Sequence, residues 1–418
     1  MCPSGAGFEA RGSHVVSGAL SGIRVVDLTR ILAGPFATQM LADLGAEVIK
    51  VERPGSGDDT RAWGPPFLAG EDGKATGDST YFLCCNRGKK SVTVDIARSE
   101  GQQIVRQLAA QADVLTENYK VGDLARYGLD YATLRGLNPR LVYCSITGYG
   151  QSGPYAQRPG YDPIAQAVGG MMSVTGERDG PPQRVGVAVV DVLTATYAAI
   201  AILAALRHRD ATGEGQHIDM ALLDVQVSAM INIAQAYLTA SVVATRNGNE
   251  HPSVTPSQSF ECSDGMIMLA AANDGQFVRL CEALGLAELP RDGRFSSNAA
   301  RVRNRDTLTS LLQRTLSAHT VGHWVDRLVQ AGVPCGPVNN IAQVFGDPQV
   351  RDRGMQMAMD HPMAGMLQLV ASPLRLSASP VQYRAAPPLL GQHTDEVLGS
   401  LLKLTQAQIG ALRAAAVI

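Results

Sequence analysis

The chain has 418 residues, enough for two or three domains and a sizeable core. Its 36 basic and 38 acidic residues leave a net charge of −2 with both signs dispersed, which excludes the basic footprint of a nucleic-acid binder. An apolar fraction of 45% and a charged fraction of 18% are those of an ordinary soluble globular protein.

Residues 1–18 lack the charged-then-apolar pattern of a leader and read as a loose extension. GIRVVDL (22–28) predicts a buried strand, PFATQMLADLG (35–45) a helix ended by Gly45, and AEVIKVE (46–52) the next strand. SVTVDI (91–96), DVLTEN (113–118) and LVYCSIT (141–147) predict further strands, with a helix over 100–112 and a short one at 124–126. Alternating helices and near-continuously apolar strands predict a parallel sheet covered on both faces, a Rossmann-like layout. No GxGxxG follows the first strand, which argues against a dinucleotide fold of the dehydrogenase type. Residues 217–238 predict helix, 259–273 a hairpin turning at Asp264-Gly265, and 276–286 and 303–331 more helix. The tail holds short strands and a last helix capped by Thr394. The expected division is a large Rossmann-like domain over 19–210, linker helices over 211–250, a small α+β domain over 251–340, and a return to the large domain over 341–418.

Asp191 is the only charge between Val185 and Leu206 in VGVAVVDVLTATYAAIAILAAL. Roughly 22 residues could span a bilayer. The aspartate, the small side chains and the lack of a second such run instead predict a buried core helix, so no membrane is expected. A carboxylate there is costly unless compensated or neutralised. Two readings are open: a helix N-cap, or a partly buried nucleophile held ionised by the helix start.

Seven cysteines (2, 84, 85, 144, 262, 281 and 335) are an odd number without metal spacing, and read as reduced thiols of a cytoplasmic protein. Three basic clusters lie at the ends or rims of successive strands. They are Arg53 in VERPGSGDDTR, Lys89 with Arg87 and Lys90 in NRGKKSV, and Arg126 with Asn118, Tyr119 and Lys120 in ENYKVGDLARYG. At the ligand edge of a parallel sheet they would suit a phosphorylated ligand; solvated surface charges are the alternative. ITGYGQSGPYAQRPGYD (146–162) is long and irregular enough for a functional loop, and Asp162 at its end could equally cap a helix.

These motifs, from LTRILAGPFATQMLADLG through GYGQSGP, GPPQRVGVAVVD and GVPCGPVNN to PPLLGQHTDEVL, resemble the class III coenzyme A transferases in order and over nearly the whole chain. The resemblance looks closest to the branch that moves coenzyme A between succinyl-CoA and glutarate. It implies an interlocked homodimer of ring-shaped chains, and Asp191 as a nucleophile that passes through an aspartyl-CoA thioester. It also implies coenzyme A contacts at Arg53, Val94, Asn118, Tyr119 and Arg126, to which the basic cluster adds Lys89. Leu32, Ala33 and Gly34 would lie at the reacting carbonyl, with backbone N–H groups as oxyanion donors, and Tyr161 and Asp162 beside the active centre. The thioester is then a substrate, and no prosthetic group or metal is needed. Arg30 and Arg184 are the candidates for a dicarboxylate's second charge. Leu32 stands where the formyl-CoA enzyme has Gln, and 252–263 lacks that enzyme's Gly-rich closing loop. A racemase of the same fold would need a His where this chain has Gly160-Tyr161-Asp162, and a non-catalytic coenzyme A binder is a further alternative.

Overall fold

The structure, a computed structural model, describes residues 18–418; residues 1–17 of the expected extension, and Cys2, lie outside them. The chain divides into two compact units. The first takes the described residues up to Ala165, then Val187–Ala229 and Arg353–Ile418; the second takes Gln166–Gly186 and Met230–Asp352.

The first unit is built on six parallel strands: β1 (Arg24–Asp27), β2 (Glu47–Glu52), β3 (Lys89–Thr93), β4 (Val114–Glu117), β5 (Val142–Thr147) and β6 (His217–Ala221). Their spatial order is β3-β2-β1-β4-β5-β6, so the chain reverses direction across the sheet between β1 and β4. In open parallel sheets ligands bind beyond the carboxyl ends of the strands at that switch point. Apolar residues of β1, β2, β4 and β5 point alternately into two cores. One holds Val26, Ile49, Leu115 and Tyr143 with α2 (Ser99–Ala110); the other holds Val25, Val48, Val114 and Val142 with α1 (Ala33–Asp43) and a long helix, α3 (Val189–Thr212).

Three sequence expectations are corrected here. Residues 217–221 are strand, because their backbone completes the ladder with β5 from Tyr143↔His217 to Thr147↔Ala221. Only after Ala221 does the chain turn helical, over Leu222–Ala229 and Ile231–Ala240. Thr394 is not a cap: it is the first residue of a helix (Thr394–Ser400), and its hydroxyl accepts the Thr93 N–H at the edge of β3 (3.0 Å). The helical stretch 303–331 is broken at Ser317–Thr320, where the Thr320 hydroxyl caps a new helix by accepting from His323 N.

α3 is the one helix among the described residues long and apolar enough to cross a membrane, and half of its apolar window is buried. Its buried positions 190, 191, 194, 195, 198, 199, 202, 205, 206 and 209 recur at three and four residues, the signature of one face laid on a core.

The second unit carries a three-stranded antiparallel sheet of Ser257–Glu261, Met266–Ala270 and Cys335–Pro337, with the hairpin turning at Asp264-Gly265. Its core gathers Phe260, Ile267, Phe277, Phe295, Leu308, Leu312 and Trp324. Arg301, fully buried there, spends its guanidinium on the Thr255 and Phe295 carbonyls and on Asp274.

Candidate active site

The switch point is held by buried ions rather than by glycines. At the end of β1, Asp27 accepts from Thr29 N (2.9 Å), from the Thr38 hydroxyl (2.6 Å) and from Lys89 Nζ (3.0 Å). Despite full burial, Lys89 and Lys50 hold its carboxyl well below the usual range. Lys50, also fully buried, donates to the Thr29 carbonyl (2.8 Å) and to Asp58 (2.9 Å). Asp58 in turn accepts from Ile31 N (3.2 Å) and Thr60 N (3.0 Å). Asn118, just past β4, clamps Arg30 from both sides, accepting its N–H (3.0 Å) and donating to its carbonyl (2.7 Å). This frame holds Ile31 at φ 74°, a conformation that is a true outlier for a β-branched residue.

The frame sets where α1 begins. The first N–H groups of a helix have no intrahelical acceptor; at α1 they belong to Ala33 and Gly34, because Pro35 has none. No acidic residue occupies this first turn. Gly34 is required by space: a Cβ there would lie 2.3 Å from the Thr29 Cβ.

Asp191 sits in the first turn of α3 and is 8% exposed. It is not the cap. Ala188 is the cap residue and bonds with no side chain; instead Asp162 accepts the N–H of Val190 (2.8 Å) and, more loosely, of Asp191 (3.3 Å). The helix start therefore compensates Asp162 more than Asp191, which corrects the expectation that it holds Asp191 ionised. Burial first, then the neighbouring Asp162 charge, push the Asp191 carboxyl up to about 7.

A cavity of about 570 Å3 opens over these groups, all in the first unit. Arg30, Leu32, Ala33, Asn118, Tyr119, Tyr161 and Asp191, each singled out from the sequence, line it. A second cavity of about 290 Å3 is lined by Arg53, Val94 and Arg126 and shares Arg30, Tyr119 and Asp123 with the first. The Tyr119 backbone is fixed by Glu117, which accepts its N–H (2.8 Å) and whose carboxyl burial pushes up to about 7. Arg53 is exposed and has no carboxylate within ion-pair distance among the described residues.

Three expected site residues fall elsewhere. Lys89 is buried and spends its ammonium on Asp27, the Pro35 carbonyl and Asn86, so it braces the fold and meets no ligand. Arg87 and Lys90 of the same cluster are likewise committed, to Asp43 and to Glu47 and Glu396. Arg184 is an exposed residue of the second unit and does not line either cavity. Gly34, in the first turn of α1, is buried against Thr29 and lines neither cavity.

Arg30 reaches both cavities, but its guanidinium is paired with Asp59 (2.8 Å). Sequence reasoning missed Trp63 and Arg158 of the larger cavity, and Tyr81. Tyr81 packs edge-on against Trp63 (5.3 Å), and burial, then the charge of Asp191, push its phenol up to about 12. No spacing marks these three, because they come from separate segments that only the fold assembles. Among the described residues no group of three His, Cys, Asp or Glu could hold a metal ion.

Residues 20–394 match the model of CoA-transferase family III. The chain is 46% identical over 382 residues to the succinate–glutarate CoA-transferase of Agrobacterium fabrum, covering 91% of this chain and 95% of that one. It is 45% identical over 399 residues to the succinyl-CoA:glutarate CoA-transferase of Homo sapiens, covering 96% and 90%. Among solved structures, a CAIB/BAIF family protein from Brucella suis superposes with a TM-score of 0.84 at 46% identity, over 92% of this chain and all of that one.

Proposed function

The chain belongs to CoA-transferase family III and is a transferase, and we propose that it moves coenzyme A from succinyl-CoA to glutarate through a covalent intermediate on Asp191. One observation carries this reading. In a chain similar to glutarate transferases over nine-tenths of its length, a carboxylate stands in the wall of a cavity that also contains the start of α1.

Asp191 attacks the thioester carbonyl of the donor; the C–S bond breaks, coenzyme A leaves as thiolate, and a mixed anhydride forms. The thiolate attacks the aspartyl carbonyl, releasing the donor as free carboxylate and leaving an aspartyl-CoA thioester. The acceptor carboxylate repeats the sequence in reverse and regenerates Asp191. The anhydride keeps the acyl group activated throughout, so the exchange needs no metal and no prosthetic group. The N–H groups of Ala33 and Gly34 are the proposed donors to the developing oxyanion. The smaller cavity, with Arg53, Val94, Tyr119 and Arg126, takes the coenzyme A nucleotide, and Asn118, in the wall of the larger cavity, ties the Arg30 backbone to the segment after β4.

We further propose the interlocked homodimer and a cytoplasmic location. Supporting the dimer, the helix Ile231–Ala240 has no buried residue, and Leu238 is 76% exposed. A racemase finds less support, since no histidine lines either cavity.

The test is transfer from succinyl-CoA to a panel of acids: glutarate, itaconate, citramalate, malate and oxalate. Glutarate is expected to give the highest kcat/KM. A preference for oxalate with formyl-CoA would overturn the substrate assignment, and proton exchange without transfer would overturn the reaction.

A further inference from the structure

The loop between β5 and Asp162 closes on itself. At its neck Gly148 and Gly160 meet back to back: a Cβ on either would come within 2.6 Å of the other's Cα. Gly150 N donates to the Thr147 hydroxyl (3.0 Å), and Gln151 N to the Asp219 carboxylate (3.0 and 3.1 Å). Tyr149 packs edge-on against Tyr155 (5.6 Å), and the Arg158 guanidinium lies over the Tyr155 ring at 3.7 Å, Tyr155 and Arg158 both being exposed. It is a compact loop packed by its own side chains, the Ω type, whose neck fixes where Tyr161 and Asp162 emerge.

Arg158 lines the same cavity as Asp191. Of the charged residues there, Arg30 and Asp59 neutralise each other and Asp123 is paired with Arg126 (2.8 Å). Neither Arg158 nor Lys120, the other cations of the lining, has a carboxylate within 4.0 Å among the described residues. Lys120 follows Tyr119, on the side shared with the smaller cavity. Arg158 belongs to the run that leads into Asp162, whose carboxylate touches the backbone of Asp191. Stacking on Tyr155 orders the guanidinium while leaving its N–H edge free. A planar fork so held suits a carboxylate in a way a lysine does not.

We propose that Arg158 is the specificity-determining residue that receives the second carboxylate of a dicarboxylic acid whose first carboxylate reacts at Asp191. This deepens the dicarboxylate reading above and rests on it. Arg158, itself exposed but in the cavity lining, takes the role expected of Arg30 and Arg184, one already paired with Asp59 and the other in the second unit and lining neither cavity.

The experiment measures label exchange between a CoA thioester and its own free acid, for glutarate and for valerate, which lacks the distal carboxylate. Wild type, Arg158→Gln and Arg158→Lys are compared. Loss of one charge-assisted hydrogen-bonded pair predicts a fall of about 10- to 100-fold in kcat/KM for glutarate with Arg158→Gln. Valerate exchange should stay within about twofold, which also reports that the variant is folded. Arg158→Lys should recover part of the glutarate rate. Equal losses for both acids, or no loss for glutarate, overturn the assignment of Arg158. A wild-type enzyme that does not favour glutarate over valerate overturns the dicarboxylate reading itself, and the inference with it.

Discussion

At pH 7 Asp191 stands near the midpoint of its own titration, because burial and the charge of Asp162 both disfavour its ionised form. A nucleophilic carboxylate must be charged, so the coenzyme A exchange rate is expected to rise as pH climbs through about 7. Asp162→Asn keeps an oxygen for the Val190 N–H but removes the negative charge. Its acid limb is expected at lower pH than that of the wild type, and an unmoved limb would show that Asp162 does not act on Asp191. The same shift bears on folding. The unfolded chain releases this proton near the ordinary 3.8, the folded chain only near 7. Stability from this group is therefore lost as pH rises from about 4 to about 7, by on the order of 4 kcal/mol. Asp191→Asn abolishes the loss, so at pH 8 urea denaturation should find the variant more stable than the wild type, while its exchange activity is gone. A variant no more stable would mean that Asp191 pays no such penalty.

The elements that make the site are the β1–α1 turn, the start of α3 and the closed loop before Asp162. The turn shows what a sequence can and cannot disclose. The strand and helix were legible, because apolar periodicity reports burial directly. The ions that pin the turn were not. Lys50 draws no reading of its own, and Lys89 falls in a ligand-facing basic cluster; only the fold shows them sunk against Asp58 and Asp27. For the same reason Lys89 was misread as a ligand contact. Asp191 was legible because a lone charge in an apolar run demands compensation; that Asp162, well upstream, would take the helix-capping bonds was not. Arg158 carried no signal, since an arginine in an irregular loop is ordinary until its neighbours are known. Gly34 gives the element-scale prediction. Gly34→Ala places a methyl on Thr29 and must push the turn away from α1. Overpacking of this kind costs about 1–3 kcal/mol in chemical denaturation, with a drop in kcat/KM as the Ala33 N–H group moves. A variant equal to wild type in both would show that the close approach is dispensable.

On the scale of the whole molecule, neither compact unit is continuous in sequence: the first is interrupted twice and regains the chain at Arg353. The parallel sheet could be read from the alternation of strands and helices. The sixth strand could not, because residues 217–221 run without a break into apolar helix and reveal themselves only by pairing with β5. Large apolar residues are left exposed within each unit, Ile200 and Val227 in the first and Ile231, Leu238 and Val243 in the second, and the proposed dimer would cover some of them. Sedimentation equilibrium is expected to give a dimer at all accessible concentrations, with Leu238→Glu weakening it; a monomeric wild type would refute the proposed assembly.

In the proposed mechanism coenzyme A is carried covalently by Asp191. This is tested most directly by incubating the protein with succinyl-CoA without acceptor, digesting it, and weighing the peptide that contains Asp191. Coenzyme A is expected in thioester linkage on that peptide, released by added glutarate and absent from Asp191→Asn. A peptide that stays unmodified while the enzyme turns over, or an adduct on another residue, would contradict it.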